Sequence, residues 1–215
     1  NLLFFLSGGG KLNYYGSKKW LEENLDSSHT ATSTLFENMR FALCLDSLSD
    51  SLGNNGLFMH LSKPLKPGMA TSMFWDILDG VAKRDFPSLN TSVIHKKINL
   101  GDEFLSWEHE RYSMRRIVAF TLSSLTTPKT MQRQTLGDVY RESHLQALEI
   151  NANMIGEALA RQLYGSIEEN LLRSEFSVSP TFIKSIYEYL AAIPRAQQLM
   201  LSTSKGTNYH LPQML

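Results

Sequence analysis

NLLFFLSGGGKLNYYGSKKWLEENL, residues 1–25, indicates a strand, a glycine turn and a helix in succession. The unbroken apolar run Leu2–Leu6 is typical of a strand buried on both faces. Three glycines then break the chain, and the residues after them repeat apolar side chains at helical spacing. Open α/β sheets place their chemistry at such an edge. We therefore expect functional groups here, although Gly8–Lys11 contains no acid.

The composition is that of an ordinary globular protein. The 215 residues include 21 basic and 21 acidic side chains, so the formal net charge is zero. This balance argues against a polyanionic partner such as nucleic acid, because the basic residues form no cluster tighter than a pair such as Arg115–Arg116. Cys44 is the single cysteine and lies in an apolar run, which predicts a small buried hydrophobe. No apolar run is long enough to span a bilayer.

Strand and helix patterns alternate along the rest of the chain. The patterns predict further strands at Phe41–Asp46, Leu57–Leu61, Ser92–Ile98 and Ile117–Leu122, and helices at Ala70–Arg84, Glu103–Met114, Asp138–Gly165 and from Pro180 onward. Gly53–Gly56 predicts a hairpin turn before the third strand. The alternation indicates an α/β fold with a mostly parallel mixed sheet flanked by helices on both faces.

The same patterns predict how the chain is divided. Residues 1–165 are expected to form the α/β domain, and residues 166–215 a C-terminal helical appendage. Because the sequence starts directly in an apolar strand pattern without an initiator Met, we expect a fragment of a longer protein.

Several residues are candidates for chemistry. A phosphate-binding loop is disfavoured, because the Walker pattern requires Ser or Thr after the lysine and Lys11 is followed by Leu12. Glu108-His109-Glu110 lacks the spacing of zinc peptidases and is interpreted as a solvated or salt-bridged helix turn. Asp46 ends a buried strand at the edge where the glycine turn emerges, so it is either a ligand or a cap for the following turn.

The first segment resembles a known family. FFLSGGGKLNYYGSKKWLEE is similar to a segment of the zinc-dependent aminopeptidase and glutamate carboxypeptidase family, which runs strand, Gly-Glu-Glu, Gly-Ser and helix. Aligning Gly16-Ser17 with the family's Gly-Ser puts Gly10 and Lys11 at the two glutamates. In the family one glutamate is the general base for the metal-bound water, and the other is a metal ligand.

Two later segments extend the resemblance. FALCLDSLSD resembles the strand that supplies a metal-binding aspartate, and Asp46 keeps that residue. WEHERYSMRRIVAFTLSS resembles the later Ser-Asp-His segment, after which the family places a last histidine ligand, but the loop Ser123–Gly137 has no histidine. The remaining family ligands would lie before Asn1. The resemblance thus implies a pseudo-enzyme with degenerate site positions Gly10, Lys11 and Asp46, and with no catalytic residue, metal or cofactor, because zinc needs three or four ligands.

Several longer sequence segments resemble one branch of this family, the nicastrin-related proteins of the endoplasmic reticulum membrane. They are SGGGKLNYYGSKKWLEENLD, HLSKP, HKKINL, WEHERYSMRR and IPRAQQL. This branch implies a lumenal domain followed by a membrane helix outside this sequence. It also implies assembly with Nodal modulator and a small polytopic membrane protein at the translocon, in the biogenesis of multi-spanning membrane proteins, and an influence on Nodal signalling and receptor assembly. The glycosylation sequon at Asn90, placed in a loop by the sequence pattern, agrees with a lumenal location.

Three functions are therefore weighed. The leading interpretation is a non-catalytic scaffold. The rivals are an active zinc-dependent aminopeptidase using Asp46, Glu108 and His109, and a metal-free module that binds peptides in the old cleft. For the scaffold, we expect the Lys11 ammonium to lie near Asp46 and replace part of the lost metal charge, because a buried carboxylate without a counter-charge is costly.

Overall fold

The computed structural model describes residues 2–25, 36–49, 56–130, 133, 140–165 and 177–192. These residues form α1 (Tyr15–Leu25), β1 (Ala42–Leu45), β2 (Gly56–Leu61), α2 (Ala70–Asp85), β3 (Asn90–His95), α3 (His109–Met114), β4 (Ala119–Ser123), α4 (Ser143–Tyr164) and α5 (Pro180–Ala192). Of the helices within these ranges, none combines the length and the apolar content that crossing a bilayer requires.

The four strands form one mixed sheet in the order β1-β4-β2-β3. β1 is parallel to β4 and β2 is parallel to β3, whereas β2 and β4 are antiparallel. The predicted α/β class with a mostly parallel mixed sheet is confirmed. The predicted hairpin is wrong as a strand pairing, because β4 lies between β1 and β2 and supplies their hydrogen bonds. Within that predicted turn, residues 53–55 lie outside the described residues.

Helices cover both faces of the sheet, as predicted. The larger core lies between the sheet and the helices α2 and α4, and its most deeply buried members include Phe74, Phe120, Leu122 and Met154. Each such side chain contributes about 1.5–3 kcal/mol by leaving water. The smaller core lies on the opposite face, where α1 and α3 pack on β1 and β4 around Leu21, Cys44, Tyr112 and Ala119. Cys44 is buried and unpaired, as its apolar surroundings predicted.

The apolar run Leu2–Leu6 is not a strand, which corrects the prediction. Leu6 is 97% exposed and Phe4 is 81% exposed, while Phe5 stacks on Trp20 with 4.6 Å between ring centroids. An apolar run becomes a buried strand only when a neighbouring strand satisfies its backbone groups. In the part of the chain that the structure describes, no strand pairs with these residues.

β3 and α3 are among the elements that begin at different residues from those predicted. β3 starts at Asn90, two residues early, because Asn90 pairs with Gly56 at the start of β2. The sequon asparagine is therefore the exposed first residue of a strand and not part of a loop. α3 starts at His109 instead of Glu103, since the Asn13 side chain accepts a hydrogen bond from the Leu105 amide at 2.9 Å and donates one to the Glu103 carbonyl. These bonds hold the preceding residues outside the helical pattern.

The last two helices pack together. α4 ends before Gly165, whose φ of +88° terminates the helix as predicted, while the predicted cap Asp138 lies outside the described residues. α5 begins at Pro180, as predicted, and buries Ile183. Lys184 also lies 3.5 Å from the Glu142 carboxylate just before α4. The described helix of the predicted appendage is thus in contact with the α/β domain.

Candidate functional site

The site predicted from the sequence lies at one edge of the sheet, where β1 and β4 end. Because these strands are parallel, the residues that follow them leave the sheet together. The Asp46 amide donates to the Leu122 carbonyl at 3.1 Å, and the Ser124 amide donates to the Ser47 carbonyl at 3.1 Å. Asp46 is therefore fixed at the carboxyl end of the parallel pair β1 and β4, which is the position the sequence predicts.

The glycine turn packs against the start of α1. The Gly16 amide donates to the Gly8 carbonyl at 3.0 Å, and a Cβ atom placed on Gly16 would lie 2.3 Å from that carbonyl oxygen. Gly9 has a φ of +68°, which favours glycine. The turn also bonds to itself, since the Tyr14 amide donates to the Gly10 carbonyl at 3.1 Å. The glycines thus serve close backbone packing, in keeping with the absence of a phosphate-loop motif.

Arg133 forms an ion pair with the Asp46 carboxylate. Its Nη2 donates to Asp46 Oδ2 at 2.8 Å, and its Nε lies 3.2 and 3.3 Å from the two carboxylate oxygens. The side chains are 15% and 19% exposed, so the pair is largely withdrawn from water. Although burial alone would lower the pKa of Arg133, the hydrogen bond and negative charge of Asp46 raise it above its ordinary value. Arg133 is therefore held in its charged form.

Aromatic side chains surround this ion pair. The guanidinium carbon of Arg133 lies 4.4 Å from the Trp107 ring centroid, and Trp107 stacks on His60 with 4.1 Å between centroids. Arg133 Nη2 also donates to the Tyr14 hydroxyl. Burial raises the pKa of Tyr14 well above its ordinary value despite the opposing charge of Arg133, so Tyr14 stays neutral. We call Tyr14, Asp46, His60, Trp107 and Arg133 the Arg133 cluster.

Two buried histidines lie on the same face of the sheet. His60 Nε2 bonds to the Leu125 carbonyl at 2.7 Å, and His109 Nδ1 bonds to Thr121 Oγ1 at 2.9 Å. Burial lowers the pKa of His60 to about 4. Burial, together with the nearby His60, lowers the pKa of His109 to about 3. Both imidazoles are neutral at pH 7 and serve packing and hydrogen bonding.

The structure assigns the expected counter-charge to a different residue. Lys11 Nζ donates to the backbone carbonyl of Arg133 at 2.9 Å, so Lys11 supports the residue that neutralises Asp46. Sequence reasoning missed Arg133 because it lies in an aperiodic polar loop. One signal was available: a buried carboxylate at Asp46 needs a cation, and the loop 123–137 offers Lys129 and Arg133.

The three metal ligands of the rival peptidase hypothesis, Asp46, Glu108 and His109, each bond to a different part of the chain. Glu108 Oε1 accepts hydrogen bonds from the hydroxyls of Ser7 and Ser17, while His109 bonds to Thr121. Across the described ranges, no three His, Cys, Asp or Glu side chains are placed to hold one metal ion. Gly10 and Lys11 cannot replace the family's glutamates, and Arg133 engages both oxygens of Asp46. These residues do not fit a zinc ion.

Comparison with known proteins gives the family. No protein-family model matches the chain. The chain is 40% identical over 206 residues to BOS complex subunit NCLN of Canis lupus familiaris and to the Homo sapiens protein of that name, covering 93% of the chain and 36% of each relative. It is 30% identical over 168 residues to nicalin of Caenorhabditis elegans, covering 74% of the chain and 29% of that protein. The chain spans little more than a third of the curated vertebrate relatives. It belongs to the nicalin family.

Proposed function

We propose that this chain is the non-catalytic, lumenal portion of a nicalin-type subunit of a membrane protein complex in the endoplasmic reticulum. The observation that carries the proposal is the pairing of Arg133 with both carboxylate oxygens of Asp46, at 2.8 to 3.3 Å. Among the degenerate positions Gly10, Lys11 and Asp46, Asp46 alone could bind a metal, and it is already bound to a cation of the chain itself.

The energetics support the loss of catalysis. A zinc ion at Asp46 would have to displace the guanidinium, which would leave Arg133 against Trp107 without its carboxylate. Separating a buried ion pair costs about 3–5 kcal/mol. A catalytic zinc site also needs three protein ligands and an open position for water, and neither Gly10 nor Lys11 can act as the general base. The arrangement is therefore suited to structural stability and not to hydrolysis.

The Arg133 cluster also offers little to a peptide ligand. Tyr14 and Trp107 are both buried, and their polar or aromatic surfaces contact Arg133. A peptide terminus would compete with an ion pair that is already complete. This packing favours a scaffold over a metal-free peptide-binding module at this edge of the sheet.

Complex membership is the biological part of the proposal. The relatives are named as BOS complex subunits, which supports an equivalent complex for this chain. From the family resemblance, we propose that the partners are Nodal modulator and a small polytopic membrane protein. We further propose that the complex acts at the translocon in multi-spanning membrane protein biogenesis, and that it influences Nodal signalling and receptor assembly. The exposed position of Asn90 makes the sequon accessible, which supports a glycosylated, lumenal domain.

The experiment isolates the full-length protein from membranes as wild type and as the Asp46→Asn variant. We expect Nodal modulator to co-isolate with the wild type, and neither preparation to hydrolyse aminopeptidase substrates above a mock isolation. Arg141→Gln, at an exposed position away from the cluster, serves as the control for handling. Hydrolysis by the wild type that disappears in Asp46→Asn would overturn the non-catalytic assignment. Failure of Nodal modulator to co-isolate would overturn the assigned complex.

A further inference from the structure

A cavity lies at the opposite end of the sheet from the Arg133 cluster. It has a volume of about 230 Å³ and is lined in part by Leu61, the last residue of β2, and Ala119, the first residue of β4. Asp46 and Arg133 lie beyond the other end of β4. The cavity is therefore separate from the degenerate peptidase site.

Positive charge surrounds this cavity. Lys63, Lys66 and Arg116 line it, and none of its lining residues is acidic. None of the three forms a salt bridge or a side-chain hydrogen bond with a residue that the structure describes. Arg116 belongs to the basic pair that stands out in the sequence, and the fold brings it together with two lysines from the segment after β2. Three cations around one cavity favour a negatively charged occupant.

The backbone adds to this field. The 16-residue helix α2 begins beside the cavity, since Met69 and Thr71 both line it. The helix has no side-chain cap at Met69. The first amides of a helix lack partners within it, and the helix dipole makes this end positive. The start of a helix can therefore donate hydrogen bonds to an anion.

Thr71 provides the independent indication of a ligand. It is 3% exposed and lines the cavity. No described residue forms a hydrogen bond with its hydroxyl, and the oxygen is not among the fully buried polar atoms, so it keeps access to the cavity. An acceptor atom inside the cavity would satisfy Thr71 and would also face the first amides of α2 and the three cations.

We propose that this cavity binds the oxyanion of a small ligand, a carboxylate or a phosphate group. The lining also includes apolar side chains, among them Leu61, Leu65 and Ile117. It can therefore accommodate a short apolar portion attached to the anionic group. Anion binding here is independent of the proposed scaffold function, because no residue of the Arg133 cluster lines the cavity.

The test is a titration of the isotope-labelled full chain followed by NMR. The probes are inorganic phosphate, N-acetyl-leucine and the neutral N-acetyl-leucine amide, at constant ionic strength. We expect saturable shifts of the Thr71 and Ser72 amides with at least one anion and none with the neutral amide. Saturation by phosphate alone assigns a phosphate group, and saturation by N-acetyl-leucine alone assigns a carboxylate. Absence of saturation with both anions overturns the proposal.

Variants separate a built site from general attraction to positive charge. Lys66→Gln combined with Arg116→Gln should weaken binding by about tenfold or more, which corresponds to about 1.4 kcal/mol. Thr71→Val keeps the side-chain shape and should weaken binding several-fold. Lys129→Gln, which removes one exposed charge beyond the far end of β4, should have no effect. Equal affinity in the double variant and in Lys129→Gln would overturn the assignment.

Discussion

Replacing Arg133 by methionine should destabilise the fold, because the change leaves the Asp46 carboxylate without its cation. Methionine keeps an unbranched apolar side chain that can still lie against Trp107, so the substitution mainly removes the charge and the hydrogen bonds. The guanidinium makes three contacts of 2.8 to 3.3 Å with Asp46 and one with the Pro128 carbonyl at 3.1 Å.

The magnitude follows from burial. An exposed ion pair contributes about 0–1 kcal/mol, and breaking a fully buried pair costs about 3–5 kcal/mol. Side-chain exposures of 15% and 19% place the Arg133–Asp46 pair between these limits, at about 2 kcal/mol. Loss of the cation–π contact with Trp107 adds about 1 kcal/mol. We therefore expect the free energy of unfolding to fall by about 3 kcal/mol.

The assay is urea denaturation, with thermal unfolding as a second measure. For a chain of this size, a loss of about 3 kcal/mol lowers Tm by about 6–12 °C. A double-mutant cycle with Asp46→Asn should give a coupling of about 2 kcal/mol, because the double variant no longer leaves a carboxylate unpaired. Arg141→Met is the matched control, since Arg141 is exposed.

One outcome would refute this reasoning. If Arg133→Met lies within about 0.5 kcal/mol of the Arg141→Met control and the coupling is equally small, the ion pair behaves as a solvated surface pair. Arg133 would then not close the degenerate site, and the main support for the proposed function would be lost.

Three further predictions concern pH, glycine packing and the thiol. The free energy of unfolding should fall by about 2 kcal/mol per histidine from pH 7 to pH 5. The unfolded chain takes up protons below its imidazole pKa, whereas His60 and His109, with pKa values of about 4 and about 3, stay neutral in the folded protein. Urea titrations that show no change in stability between these pH values would contradict this prediction. Gly16→Ala should destabilise the fold by about 1–3 kcal/mol, because the added Cβ would lie 2.3 Å from the Gly8 carbonyl oxygen. Gly80→Ala should stabilise it by about 0.5–1 kcal/mol, because Gly80 lies within α2 and has open space beside it. Thermal unfolding in which both substitutions shift Tm in the same direction would contradict this pair of predictions. Cys44 should resist thiol reagents in native buffer and react fully in urea, since burial raises the pKa of its thiol and excludes the reagent; rapid native labelling contradicts this.

Local patterns explain the elements that the sequence predicted well. α2 was predicted at Ala70–Arg84 and ends at Asp85, because its helical spacing is a property of consecutive residues. α5 starts at Pro180 because proline suits the first position of a helix. By contrast, Leu2–Leu6 has the composition of a buried strand without a partner in the described chain. Strand pairing depends on residues far apart in sequence, which composition does not reveal.

In the candidate site, too, features set by neighbouring residues were predictable and contacts between distant residues were not. Asp46 could be placed at the sheet edge, because the end of a strand pattern fixes which residue leaves the sheet first. Arg133 is 87 residues later in a loop without periodicity, so its contact with Asp46 could not be predicted. The cavity beside α2 was also missed, because Arg116 and the two lysines come together only when β2 and β4 pair.

The most direct measurement is the zinc content of the full-length protein, isolated from membranes without chelator and dialysed against zinc-containing and then zinc-free buffer. Inductively coupled plasma mass spectrometry should find zinc far below one atom per chain, both in the wild type and in Asp46→Asn. One zinc atom per wild-type chain, lost in Asp46→Asn, would show that Asp46 serves a metal and would contradict its assignment as the fixed partner of Arg133.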